Sequence, residues 1–202
     1  MIRTDCIILA TGSQVSLDYG LENAGVKFKN SGITTDKYFE TSAKNIYAIG
    51  DALGKDSSTE IADYEGNLLA SNLINKTKNP ANYHGFIRFT NTTPAIATVG
   101  FNEDDLTRRD RKYKVALIPF SEIPAGQIYD FSQGFVKLLA DKTNHIIGAT
   151  IVSPHADLFA AEISLAVRHN LSALELASTP HTINSNNYAI KLAAKKLLAK
   201  KN

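Results

Sequence analysis

After Pro80 the sequence carries six short runs with strand character, at residues 86–90, 95–99, 114–119, 127–131, 135–140 and 145–152, and then turns helical. The runs are rich in Ile, Val, Phe and Thr and are bounded by Gly, Pro, Asn and Asp, the composition that a pleated, half-buried surface selects. Ser132-Gln133-Gly134 and Asp141-Lys142-Thr143-Asn144 join consecutive runs over so few residues that an antiparallel meander is expected. Helical periodicity follows over 156–169 and 187–200, the first ending at Asn170, a residue that tolerates a left-handed cap. Strands followed by segregated helices predict an α+β domain, an antiparallel sheet with helices on one side.

The part before Pro80 has a different texture. Residues 5–10 form a short, continuous apolar run stopped by Thr11-Gly12-Ser13, which reads as a fully buried strand of a parallel sheet. A second such strand is expected over 45–49, ending at Gly50-Asp51, and a helix over 59–73, with Ser57 and Glu60 at capping-box spacing. This is a partial α/β layer whose two strands need neighbours. The polar stretch 75–82, which holds Pro80, is the expected boundary and divides the chain into domains 1–80 and 81–202.

A chain of 202 residues with 44% hydrophobic side chains can bury a sizeable core. Its 22 basic and 20 acidic side chains leave a net charge of +2, with no field that would select nucleic acid or an acidic membrane, so neither is an expected partner. Lys195, Lys196, Lys200 and Lys201 are the only cluster and read as a solvated helix face, with membrane or RNA contact as the alternative. The single cysteine, Cys6, excludes an intrachain disulfide, a cysteine zinc site and a dithiol redox centre built from this chain alone. Its place on an expected buried strand makes it an inert thiol. The apolar run near the N-terminus is too short for a signal-peptide core, and a cytoplasmic location is the default. His84, His145, His155 and His169 lack metal-ligand spacing and read as surface or capping residues.

A carboxylate at the C-terminal end of a parallel strand faces the crevice where α/β sheets bind ligands, and a preceding glycine allows close approach. Gly50-Asp51 fits that description, and equally a plain turn with an Asx hydrogen bond. Its context is more specific. Asp5-Cys-Ile-Ile-Leu-Ala-Thr-Gly12, Gly20 to Val26, Gly32-Ile-Thr-Thr-Asp36 and Thr41 to Asp51 together resemble the flavoprotein disulfide reductases, a family that includes dihydrolipoamide dehydrogenase, glutathione reductase and mercuric reductase. Ala62-Asp-Tyr-Glu-Gly66, Phe89-Thr90, Pro94 to Gly100 and Gly134 to Leu138 extend the resemblance nearly end to end. It is a resemblance to the C-terminal part of that family: the end of the nicotinamide domain, the second half of the FAD domain and the dimerisation domain.

The resemblance implies that Asp51 accepts a hydrogen bond from a ribityl hydroxyl of FAD beside Gly50. It further implies that the helix start at Ser58 and Thr59 presents its positive end to the flavin pyrimidine ring, although N-capping alone accounts for those two residues equally well. His181, in Thr179-Pro180-His181-Thr182, stands where the family has a histidine that moves a proton to and from a thiol in the partner subunit's site. The family's orienting glutamate, five positions on, is Asn186 here, which puts the proton transfer in doubt. Ser13 replaces an arginine common in the family, so the substrate subclass stays open. No Gly-x-Gly-x-x-Gly phosphate turn and no redox cysteine pair occur in the sequence, so the chain amounts to about half of such an enzyme.

Two functions follow. In one, the chain belongs to an oxidoreductase that passes hydride from NAD(P)H to FAD and on to a disulfide or another small-molecule acceptor. In the other it is a self-associating homodimeric module without catalysis of its own, and for these 202 residues the second is favoured. The helix over 156–169 and the segment after Pro180 are the expected centre of the dimer.

Overall fold

The computed structural model describes residues 2–55, 58–129 and 133–199. They form two compact units, Met1–Asn82 and Tyr83–Asn202.

In the first unit a small core of Leu21, Val26, Ile33, Phe39, Ala48 and Leu53 is wrapped by short elements. A 3-10 turn over Leu21–Ala24 leads into a hairpin of β1 (Phe28–Lys29) and β2 (Gly32–Ile33), and a second 3-10 turn spans Gly50–Leu53. Helix α1 (Thr59–Asn75) starts at Ser58, whose side chain accepts from the Ile61 N–H at 3.2 Å. The capping box expected at Ser57 lies outside the described residues. At the other end of α1, buried Asn72 accepts from the Asn79 N–H and the Thr77 hydroxyl and donates to the Asn79 carbonyl, so one side chain closes the loop after the helix.

Both strands expected in this unit are corrected. Residues 5–10 belong to no ladder among the described residues, and Ile7, Ile8 and Leu9 are 77%, 87% and 84% exposed. A parallel strand holds only when neighbours on its flanks take up its N–H and C=O groups, and no segment of this unit lies alongside. Cys6 is therefore exposed, not buried. Over 45–49 a single bridge, Glu40 to Tyr47, stands in place of a strand. Asn45 has φ 63°, and the Thr41 N–H bonds the Ile46 carbonyl, so the segment begins with a turn.

The second unit is a five-stranded antiparallel sheet in the order β3 (Ile87–Thr90), β4 (Ala95–Gly100), β7 (Ile146–Ser153), β6 (Phe135–Ala140), β5 (Lys114–Pro119). One face aligns Ala97, Ile151, Val136 and Ile118 in register across four strands. Helices α4 (Ala156–Arg168), α5 (Ala173–Ser178) and α6 (Tyr188–Leu198) cover that face through Ala160, Ile163, Val167, Leu176, Ile190 and Leu197. The small alanines on both sheet and helices let the layers approach closely. On the opposite face α2 (Glu103–Arg108) drops Leu106 onto Leu139 and Ile147, and Phe101 beside them is flanked by the Arg109 and Arg111 guanidinium groups. At the sheet edge Lys196 donates to the Leu117 carbonyl of β5, so one of the C-terminal lysines is used internally; Lys200 and Lys201 lie outside the described residues.

The strand expected over 127–131 is corrected over 127–129, while residues 130 and 131 lie outside the described residues. Pro124–Ile128 forms a short helix, α3, with Pro124 in its first turn, where the missing N–H costs nothing. Gly126 sits against Phe120, whose carbonyl oxygen a Cβ at that position would meet at 1.9 Å. The neighbour of β6 is β5, joined to it from Lys114↔Ala140 to Pro119↔Phe135.

The β6–β7 turn is held by Asp141, whose carboxylate accepts from the Thr143 N–H and hydroxyl and from the His145 N–H. Partial burial would raise its pKa, but these hydrogen bonds, with His145 nearby, outweigh that and hold it below 3.8. A depressed carboxylate adds stability at pH values above its unfolded pKa, and loses it as pH falls through the folded one. Asp141→Asn keeps the acceptor but not the charge. Its deficit in urea midpoint relative to wild type is expected to be full at pH 7 and to close only below pH 3.8.

Candidate functional site

The turn at Gly50 is fixed by backbone and burial together. Gly50 has φ 62°, and its N–H donates at 2.5 Å to Glu65, a buried carboxylate on the inner side of α1. Gly54, with φ 61°, lies so close to the β1–β2 tip that an added Cβ would meet the Ser31 carbonyl oxygen at 1.2 Å. The chain between these glycines thus passes with backbone against backbone and leaves the exposed Asp51 side chain at the rim.

Gly50, Asp51, Ser58 and Thr59 line one recess of about 440 Å³ with Ile49 and Ala62, so all four residues expected from sequence come together. Asp51 also borders a larger cleft of about 730 Å³, lined by Ser13, Gln14, Tyr19, Asn30 and Ser31 among others. A carboxylate acceptor beside the N-terminus of a 17-residue helix suits a ligand with hydroxyls next to an electron-rich ring, so the residues present fit the ribityl and pyrimidine part of a flavin. Sequence reasoning missed Glu65. It stands in the stretch Ala62-Asp-Tyr-Glu-Gly66 of the family resemblance, but was given no role there.

His181 lies in the segment after α5. Its Nδ1 is 2.9 Å from the Thr179 carbonyl oxygen and its Nε2 is 2.8 Å from Glu162 Oε1 on α4. The imidazole is nearly sequestered, 2% exposed, while the Glu162 side chain is 27% exposed. Asn186 takes no part in these contacts; the carboxylate that reaches the ring comes from 19 residues upstream, a separation that motif spacing does not reveal. Lys191 on α6 donates to the same Thr179 carbonyl at 2.8 Å. Among the described residues no group of His, Cys, Asp and Glu could hold a metal ion, and no helix is long and apolar enough to cross a membrane.

Residues 87–194 match the family model described as pyridine nucleotide-disulphide oxidoreductase, dimerisation domain, and residues 1–71 match that described as pyridine nucleotide-disulphide oxidoreductase. The chain belongs to the pyridine nucleotide-disulphide oxidoreductase family. The two matches correct the expectation of a C-terminal part alone, because the family's main domain is represented over 1–71 as well as its dimerisation domain. The chain is 30% identical over 197 residues to a mercuric reductase of Staphylococcus aureus, covering 96% of this chain and 36% of that protein. It is 31% identical over 180 residues to a dihydrolipoyl dehydrogenase of Chlamydia muridarum, covering 88% and 38%. It thus spans under two-fifths of the length of these relatives. Among solved structures, LpdA from Mycobacterium tuberculosis superposes with a TM-score of 0.82 at 26% identity, over 90% of this chain and 40% of that one. RclA of Escherichia coli, described as an HOCl-induced flavoprotein disulfide reductase, shares the fold with a TM-score of 0.84 at 22% identity, over 92% and 44%.

A side chain at position 50 must adopt the left-handed conformation and push its Cβ to 3.0 Å from that of Ala62. Gly50→Ala is expected to destabilise the first unit by about 1–2 kcal/mol. Gly66→Ala, where an added Cβ meets only the tip of Ile49 at 3.5 Å, is expected to leave stability unchanged or raise it by about 0.5–1 kcal/mol. Thermal unfolding of the two variants beside wild type checks the contrast.

Proposed function

We propose that this chain works as a homodimerising module of its family, with no redox chemistry of its own. The observation that carries this is an apolar stripe on the outside of α4: Leu158 and Leu165, seven residues apart on one helix face, are 66% and 58% exposed, and Ile183 beyond His181 is 57% exposed. Single exposed leucines need no explanation, but an aligned pair on the helix expected at the dimer centre does. The match to a dimerisation domain supports this reading, and the single cysteine leaves the chain without a dithiol to reduce. Sedimentation equilibrium is expected to show a dimer, with Leu158→Lys raising the Kd at least about thirtyfold, the equivalent of a ~2 kcal/mol hot spot. A wild-type monomer across the micromolar range would refute the reading.

A second reading has its own observation, the convergence of Gly50, Asp51, Ser58 and Thr59 on one recess. In it these residues contribute one end of an FAD site: Asp51 accepts from a ribityl hydroxyl, Gly50 allows close approach, and the α1 N-terminus favours negative charge on the ring. NAD(P)H and a disulfide or other small-molecule acceptor would then belong to the intact enzyme, and His181 would be its proton-handling group. Absorption spectra with added FAD test it: a bound flavin band that Asp51→Ala weakens supports the site, and no binding at any flavin concentration removes it.

A further inference from the structure

The surroundings of His181 do not suit a group that exchanges protons. A carbonyl oxygen only accepts, so Nδ1 must donate to Thr179; an ionised Glu162 also only accepts, so Nε2 must donate as well. Both ring nitrogens are thus engaged within the chain, and neither is left open to a substrate. Glu162 lies four residues after Leu158 and three before Leu165, which sets it among the exposed leucines of α4. Among the described residues, the charged groups hydrogen-bonded to the ring or to its Thr179 partner are Glu162 from α4 and Lys191 from α6. Beyond the ring, the Ser185 N–H bonds the Thr182 carbonyl and the Tyr188 N–H bonds the Ser185 carbonyl, local turns that bring the chain into α6.

We propose that the Glu162–His181 pair is a latch: it fixes on α4 the segment 179–187, which carries the exposed Ile183, and so completes with Leu158 and Leu165 the apolar face that seats a second copy of this chain. The proposal rests on the self-association reading. His181 is then a positioning residue, and the carboxylate missing at Asn186 is replaced by one that restrains the ring instead of leaving it free to shuttle. A partly buried ion pair adds little to raw stability; the role proposed for this one is to hold a single conformation of the surface presented to another copy.

The test uses the full chain. In nitrogen NMR of the histidine rings both nitrogens of His181 are expected to carry protons in wild type, while Glu162→Gln, whose amide can donate to Nε2, is expected to give the neutral ring with its proton on Nδ1. A wild-type ring with a bare nitrogen would overturn the latch. In His181→Ala the amides of Ser185 and Tyr188 are expected to exchange at least about tenfold faster and the dimer Kd to rise by about tenfold or more, with Val136 and Leu138 unchanged. If His181→Ala disturbs Val136 and Leu138 too, Glu162→Gln replaces it, with the same directions and smaller effects. Unchanged exchange, or faster exchange with a wild-type Kd, would overturn the proposal. A monomeric wild type would instead fell the self-association reading, and the proposal with it, a result distinct from a dimer that ignores the latch.

Discussion

β7 is paired along both of its edges, to β4 from Ala95↔Ser153 to Gly100↔Gly148 and to β6 from Phe135↔Val152 to Ala140↔Ile146, and the second unit is organised around it. Slipping either ladder by one residue would turn Ile151 and Ala149 away from the helices and drive Val152 and Thr150 into them. The register therefore fixes which residues meet α4 and α6, and with them the direction in which the outer face of α4 points. What the outer face of α4 presents is set by backbone pairing in the sheet layer directly beneath that helix.

The legibility of this fold in the sequence follows how local each signal is. β5 is read to the residue, because Lys114–Pro119 is bounded by polar residues on one side and ends in its own proline. Residues 5–10 are misread for the opposite reason: a short apolar run states that a strand would be stable if flanked, and says nothing about whether flanks are present. Asn45 breaks its run by taking a left-handed conformation that asparagine tolerates. The helices α2 and α5 are too short for periodicity, although each carries a complete capping box, Asn102 with Asp105 and Ser172 with Glu175.

The site shows the same division. Gly50, Asp51, Ser58 and Thr59 lie within ten residues of one another, and a motif could carry them as a group. The roles of Glu65 and Glu162 could not be found that way, although Glu65 stands in the stretch 62–66 of the family resemblance. Each is a carboxylate on a helix whose partner, Gly50 or His181, is placed by tertiary packing. In both cases the missing information is the same: which face of a helix meets which loop. A family resemblance located the histidine, and only coordinates could show that its two ring nitrogens meet the Thr179 carbonyl and the Glu162 carboxylate.

The ladder between β6 and β7 is offset by one residue at Leu139/Ala140, so that Ile146 packs with the helices on one face while the adjacent Ile147 packs with Leu106 and Leu139 on the other. Strict alternation back from Ile151 and Ala149 would put Ile147 with the helices; the extra residue turns it to the outer face and brings Ile146 inward instead. Two hydrophobic clusters that share no side chain are thereby yoked through a single peptide unit. Removing the extra residue would therefore take Ile147 out of the outer cluster, so the bulge decides what Leu106 of α2 packs against.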